Sequence, residues 1–136
     1  MTQAQILNPR QKEIRKEQFI AKVKALAKQV AQWSKAQGWE VKRRQVRVDD
    51  GRFGTYRAPE LNIRVSEREE VRLIPAGLDT LGGWEGRVEL LVYPTMADIQ
   101  FLGVPDGWCI MTNSNVPLRL PWNSDTFVQL VRDMLS

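Results

Sequence analysis

The stretch that decides the fold is residues 8–48, NPRQKEIRKEQFIAKVKALAKQVAQWSKAQGWEVKRRQVRV. Up to Gly38 its apolar residues recur every three or four positions, and after Val41 a two-residue spacing begins with Val46 and Val48. The first pattern indicates one face of an α-helix and the second indicates a β-strand. The sequence therefore predicts a long helix that is followed directly by a sheet.

The helix has a recognisable start and stop. Asn8 can accept hydrogen bonds from the free N–H groups of the first turn, Pro9 suits the first helical position, and Gly38 is a suitable end. One apolar stripe consists of Phe19, Val23, Leu26, Val30 and Trp33. The stripe begins only at Phe19. A helix of this length spans roughly 44 Å, whereas a domain of this size has a radius of gyration of roughly 14 Å. We therefore expect residues 1–18 to project or to contact another subunit, which makes a homodimer through the N-terminal helix a hypothesis.

After the helix, the two-residue period predicts a series of strands. Their alternating apolar residues are Val46/Val48, Leu61/Ile63/Val65, Val71/Leu73, Val88/Leu90/Val92 and Ile99/Phe101. Turn residues separate them at Asp50-Gly51, at 66–69 and at 105–107, and connections this short favour an antiparallel meander. A last strand is expected at 108–112.

A second helix is predicted at the end of the chain, where Asn123 or Ser124 can cap it. Its apolar face would consist of Phe127, Leu130, Val131, Met134 and Leu135. The fold class is therefore α+β: a long N-terminal helix, an antiparallel meander of five or six strands and a C-terminal helix, with both helices packed on one face of the sheet. The stretches 76–86 and 113–123 are expected to be loops.

Composition limits the classes of protein. With 136 residues, 43% of them hydrophobic, the chain suits a single domain covering 1–136. No apolar run approaches the length of a membrane span and residues 1–10 do not resemble a secretory signal, so we expect a cytoplasmic protein with no membrane partner. Histidine is absent, which excludes histidine-dependent catalysis and metal sites, and Cys109 is expected to be buried and inert. We predict no cofactor and no metal site.

The charges are unevenly distributed along the chain. All lysines lie in the first 42 residues and every basic residue after Lys42 is an arginine. Residues 1–48 contain 12 basic and 3 acidic side chains, which gives +9, whereas residues 49–136 contain 8 and 13, which gives −5. A basic region of this kind suits an acidic partner, although it can equally be matched by the chain's own acidic residues.

Strand alternation predicts one arginine-bearing face on the sheet, opposite the helices. The candidate binding residues on or near it are Arg43, Arg47, Arg64, Arg72, Arg87 and Tyr56. Arginines beside aromatic rings can hold single-stranded nucleic acid. The alternative is a solvated face on which Glu70 and Glu89 form ion pairs with these arginines. Trp84, in a glycine-rich loop, is a further candidate as an interface anchor or as a ring folded back on the sheet.

A metal-dependent nuclease is the enzymatic alternative, because that chemistry needs clustered carboxylates and a lysine but no histidine. One pair available is Glu40 with Lys42, but a long helix precedes it where the strand that carries the aspartate is expected. The other is Asp79 with Glu89, but Leu91 stands where the lysine is needed. We therefore interpret the chain as a small non-enzymatic binding module whose basic surface meets an acidic partner surface on protein or nucleic acid. A nucleic-acid-binding or nucleic-acid-processing protein is the alternative.

Overall fold

A computed structural model describes residues 7–79, 83–112 and 117–136 of the chain. Two helices flank a meander of strands along the sequence, and a 3₁₀ turn covers Gly51–Phe53. The elements are α1 (Pro9–Ala36), β1 (Glu40–Asp49), β2 (Thr55–Arg64), β3 (Glu70–Gly77), β4 (Arg87–Tyr93), β5 (Asp98–Val104), β6 (Gly107–Met111), β7 (Pro117–Leu118) and α2 (Ser124–Leu135). The predicted fold class is confirmed, with a two-residue seventh strand in the stretch expected to be a loop.

Helix α1 begins and ends where the sequence predicts. Asn8 and Gln11 form a reciprocal capping box, in which each side chain accepts a hydrogen bond from the other residue's backbone N–H. After the helix, Gly38 has a φ of 82°, a left-handed conformation that glycine adopts without strain. Phe19, Val23 and Leu26 of the stripe are buried, whereas Ile14 is 44% exposed. Leu7 packs against the core, so part of the 1–18 segment lies on the domain.

The sheet is antiparallel, and its strands are arranged in chain order from β1 to β7. Leu61, Leu73, Leu90 and Ile99 form a row of direct partners across β2 to β5. This row belongs to the core cluster, against which both helices bury their apolar residues. We call this side the core face. The opposite side, which carries Asn62, Arg72 and Leu91, has no helix on it within the described residues, and we call it the open face.

Two prolines end the pairing between β2 and β3. These strands pair only from Leu61↔Leu73 to Arg64↔Glu70, although β2 itself extends back to Thr55. Continuing the register by two residues would place Pro59 opposite Pro75. The backbone N–H of Asp50 donates to the carbonyl of Gly54, so these residues form a hydrogen-bonded pair between β1 and β2. Hydrogen-bonded and non-hydrogen-bonded pairs alternate along antiparallel strands, and this alternation directs the backbone N and C=O of Pro59 towards β3. Neither proline has an N–H to donate, so the ladder stops before them.

Beyond this point β1 and β2 continue together as a two-stranded ribbon, formed by 44–49 and 55–60, that we call the arm. Ala58 and Leu61 are three residues apart and so point to opposite faces of their strand, yet both are fully buried. The face of the ribbon that is directed towards the core therefore changes at Pro59. On the arm, Tyr56 packs edge-to-face on Phe19 of α1, with the ring centroids 6.2 Å apart.

Asp50 holds the tip of the arm against the end of β3. The sequence predicts only a turn residue here, but Asp50 is 4% exposed. Its carboxylate accepts hydrogen bonds from the backbone N–H groups of Leu78 (2.8 Å) and Asp79 (2.9 Å) and from the hydroxyl of Tyr56. A Cβ at Gly77 would lie 2.6 Å from Asp50 Oδ1, so the carboxylate also needs a residue without a side chain beside it. The chain turns at Asp50-Gly51, as the sequence predicts, and the 3₁₀ turn Gly51–Phe53 forms part of the connection.

Closer to the opposite edge of the sheet, Lys22 joins α1 to the turn between β5 and β6. Its ammonium donates to the backbone carbonyls of Val104 and Gly107, the latter at 2.7 Å. It also lies 5.0 Å from the centroid of the Trp108 ring. Burial lowers the pKa of Lys22, and Glu85 and Asp106 oppose that shift. This lysine is therefore a structural contact between helix and sheet.

Helix α2 closes the core as predicted. Asn123 caps it, and Phe127, Val131 and Met134 are buried. Trp122 lies 5.2 Å from both Trp33 and Phe101, measured between ring centroids. Cys109 is buried, also as predicted. Parts of the predicted loops and of the 1–18 segment, namely 80–82, 113–116 and 1–6, lie outside the described residues. Neither helix is long and apolar enough to span a bilayer in the part of the chain described.

The Asp50 contacts predict a large loss of stability on substitution. Asp50→Ala leaves two backbone N–H groups and a buried hydroxyl without their acceptor, and we expect the free energy of unfolding to fall by about 3 kcal/mol. Urea denaturation measures this change. Glu67→Ala, at an exposed turn position, is the matched control and should change stability by less than about 0.5 kcal/mol. Equal effects of the two substitutions would show that Asp50 does not hold the arm.

Candidate functional site: a basic groove on the open sheet face

The five predicted arginines do not form one surface, because the arm changes face at Pro59. Arg43 is the direct partner of Leu61 and so points to the other side of β1 from Lys42 and Arg44, although it also lines the groove described below together with Arg72. Arg47 is exposed on the arm, where its Nε bonds Asp49 at 3.0 Å. Arg64 and Arg72 do share the open face, as the partners of Glu70 and Asn62. The neighbours of Arg72 on β1 are instead Lys42 and Arg44.

A groove of about 740 Å³ lies on the open face where β2 separates from β3. Its lining residues come from β1 to β4 and are Lys42, Arg43, Arg44, Glu60, Asn62, Glu70, Arg72 and Tyr93. We call it the basic groove. The row Lys42↔Asn62↔Arg72 crosses three adjacent strands, so the three side chains are about 5 Å apart from strand to strand. The groove thus brings polar groups together from separate parts of the chain.

Glu60 forms the floor of the basic groove and organises its arginines. Its side chain is 7% exposed, and its Oε1 lies 2.5 Å from Arg72 Nη2 and 3.5 Å from Arg44 Nη2. A carboxylate buried to this degree is stable only when it is paired. One oxygen of Glu60 therefore fixes two guanidinium groups, and the side chain of Arg44 is 69% exposed.

Arg72 is the most constrained cation of the groove. Hydrogen bonds to Glu60 and then to Tyr93 raise the pKa of Arg72, so these contacts stabilise its positive charge. Its Nε is buried and bonds no protein acceptor within the described residues. The guanidinium is therefore held in place by Glu60 and Tyr93, at the cost of one buried donor.

The charges of the lining favour an anion. Four basic and two acidic residues line the groove, and Glu60 is already shared between two arginines. Lys42 is 80% exposed and lies 3.9 Å from Glu40 at the sheet edge, so its ammonium is well hydrated and can reach over the groove. A bound carboxylate or phosphate would meet Lys42 and Arg44 first, with Arg72 beneath them.

The remaining predicted site residues lie elsewhere. Arg64 bonds the carbonyl of Glu67 at 3.2 Å, and Arg87 bonds the side chain of Gln100 at 3.3 Å. Tyr56 is inside the core on Asp50, and burial together with this carboxylate raises the pKa of its hydroxyl. Trp84 borders a separate cavity of about 230 Å³ beside Phe19. None of these four lines the basic groove.

The carboxylates needed by the nuclease alternative do not converge. Glu40 lies on β1 and Glu89 on β4, so two strands separate them and the distance across the sheet is about 14 Å. Asp79 follows β3, and its Oδ1 lies 3.6 Å from Arg52 Nε, with which it forms an ion pair. Within the described residues no group of three or more aspartate, glutamate or cysteine side chains is arranged to hold a metal ion.

Comparison with other proteins does not assign a function. No protein-family model matches the chain, and no curated protein or solved structure matches it significantly. The basic groove is therefore the feature from which a function can be inferred.

Sequence reasoning found part of this site and missed its centre. The sequence predicts Arg43 and Arg72 as binding residues and a basic balance over 1–48, but it does not predict Glu60 or Tyr93. The available signal was Pro59, because a proline inside a strand marks the end of a ladder and the residue beside it falls where the strands separate.

The contacts of Glu60 with Arg72 and Arg44 predict that substitutions of Glu60 and of Arg44 change stability by different amounts. Glu60→Ala leaves Arg72 partly buried without its counter-charge, and we expect the free energy of unfolding to fall by about 2 kcal/mol. Arg44→Ala removes the more exposed partner and should cost less than about 0.5 kcal/mol. Urea denaturation of both variants tests this. A Glu60→Ala protein as stable as wild type would show that Glu60 does not organise the groove.

Proposed function

We propose that the protein is a small non-enzymatic binding module that receives an acidic surface of a partner protein in the basic groove. The observation that supports this most is the row Lys42, Asn62 and Arg72 with Arg44 beside it, held over the buried carboxylate of Glu60. A cytoplasmic location stays a prediction.

The arrangement favours binding for a physical reason. Arg72 is fixed before any ligand arrives, so little side-chain entropy is lost when an anion meets it. Lys42 and Arg44 are exposed at the rim, where they accelerate encounter with an oppositely charged partner and make affinity dependent on salt. Such a groove gives a preference for acidic surfaces without the need for a deep pocket.

A single-stranded nucleic acid is the second candidate. The observation that favours it is Tyr93, an aromatic ring within the same groove as Arg72. Arginines that pair phosphates and a ring that stacks a base are the usual elements of such sites. Against it, the Tyr93 hydroxyl is engaged with Arg72 and no second ring lines the groove among the residues described.

Binding to the groove predicts a selective effect of its rim cations. Fluorescence anisotropy with a labelled peptide of twelve glutamates should show binding at about 20 mM salt that weakens as salt is raised. The double variant Lys42→Ala/Arg44→Ala should weaken it about tenfold, because two exposed charge pairs are lost. Lys24→Ala/Lys28→Ala removes the same charge from the exposed side of α1 and should leave affinity nearly unchanged.

A labelled twelve-nucleotide oligothymidine is the competing probe. If the oligonucleotide binds and the acidic peptide does not, the second candidate replaces the first. If neither probe binds at low salt, the proposal of an anion-binding groove is rejected. Equal effects of the groove variant and the helix variant would show that net charge, rather than the groove, governs binding.

Homodimerisation through 1–18 also stays a prediction, and the observation that bears on it is the exposed side chain of Ile14. A charge at the centre of a helix contact would separate two subunits. Light scattering should therefore give a dimer mass for the wild type and a monomer mass for Ile14→Glu. A monomeric wild type, or an unchanged dimer mass in the variant, would contradict the contact.

A further inference from the structure

Strand β1 forms one edge of the sheet and is its longest free edge. It is ten residues long, and within the described ranges it pairs with β2 alone. An unpaired edge presents backbone donors and acceptors that can pair with another extended chain. The opposite edge, β7, is only two residues long. Strand β1 is therefore the place where a further strand could be added.

The backbone groups that point outward can be identified from the register. Asp50 N–H bonds the carbonyl of Gly54, and the hydrogen-bonded pairs alternate along the ribbon from there. Gln45 and Pro59 then form a non-hydrogen-bonded pair, which agrees with the missing donor of proline. The N–H and C=O groups of Arg43, Gln45 and Arg47 consequently point away from β2, whereas those of Arg44 and Val46 point towards it.

The side chains of this edge are mostly basic on both sides of the ribbon. Lys42 and Arg44 lie on one side and Arg43 and Arg47 on the other, while the acidic residues of β1 lie only at its two ends. All four basic residues are exposed. A second copy of β1 would bring like charges directly opposite one another, which is destabilising. The charge pattern thus opposes self-pairing and suits an acidic strand.

We propose that the acidic partner binds β1 as an added strand, through an extended segment rich in glutamate or aspartate. Backbone hydrogen bonds to Arg43, Gln45 and Arg47 would supply the pairing, and carboxylates on both sides of the added strand would reach the four basic side chains. The carboxylates on the open-face side lie next to Lys42 and Arg44 and so enter the rim of the basic groove. This inference rests on the proposed function and specifies the form of the partner.

A pair of peptides with identical charge separates strand addition from simple charge attraction. The first probe is the fluorescein-labelled octapeptide Thr-Glu-Glu-Val-Glu-Glu-Val-Thr with blocked ends, and the second has the same sequence with its four central backbone nitrogens methylated. Strand addition requires the free N–H groups, so the first should bind at least tenfold more tightly. Equal binding would overturn strand addition while leaving the anion-binding groove intact. Absence of binding by both at low salt would reject both proposals.

A matched pair of variants tests the same point on the protein. Gln45→Pro removes an outward N–H without changing charge and without removing a bond to β2, and proline is tolerated on edge strands. We expect it to weaken octapeptide binding at least tenfold, whereas Gln45→Ala should bind as the wild type does. Circular dichroism and thermal unfolding check that both variants are folded. If Gln45→Pro is unfolded, the amide measurement below decides the matter on the wild-type chain.

Hydrogen exchange locates the added strand residue by residue. Saturating octapeptide should slow exchange at the amides of Arg43, Gln45 and Arg47 at least tenfold, and leave those of Arg44 and Val46 nearly unchanged because they already bond β2. Unchanged exchange at the three outward amides would overturn the proposal. So would an oligothymidine that binds more tightly than the octapeptide and is unaffected by Gln45→Pro, which would assign the edge to nucleic acid.

Discussion

Two prolines that cannot pair with each other determine how this sheet is divided. Pro59 and Pro75 would be direct partners if the β2–β3 ladder continued, and neither can donate the hydrogen bond that position requires. The ladder therefore ends, and the β1–β2 ribbon leaves the sheet as the arm. The change of buried face at Ala58 and Leu61 follows from this separation. So does the position of the basic groove, since Glu60 and Arg72 line the place where the strands part.

Because the arm does not pair with β3, side-chain contacts hold it in place. The contacts at its tip differ from those near the prolines. At the tip, the Asp50 carboxylate binds backbone N–H groups of the segment after β3. Near the prolines, Glu60 binds the guanidinium groups of Arg72 and Arg44. Both carboxylates are nearly buried, so their hydration is lost and is replaced by these contacts. The same bonds that hold the arm leave Arg44 and Lys42 exposed beside the groove.

The sequence predicts the elements of this fold well and their relative faces less well. Helix α1 is predicted from Asn8, Pro9, Gly38 and the apolar stripe, because these signals are local. The strands follow from their two-residue period for the same reason. Whether residues on different strands lie on the same face depends on register and twist. The apolar pattern of a single strand contains no information on either. The sequence thus predicts Arg43 on the same sheet face as Arg72, whereas its direct partner is the core residue Leu61.

Helix α1 and the turn between β5 and β6 are joined by Lys22, whose bonded carbonyls lie 82 and 85 residues further along the chain. During synthesis at roughly 5–20 residues per second, α1 therefore waits on the order of 4–17 s before that turn is made. For this interval its apolar stripe lacks the late strands and α2 that cover part of it. The nascent chain thus presents an incompletely covered amphipathic helix until the turn between β5 and β6 and helix α2 have been made.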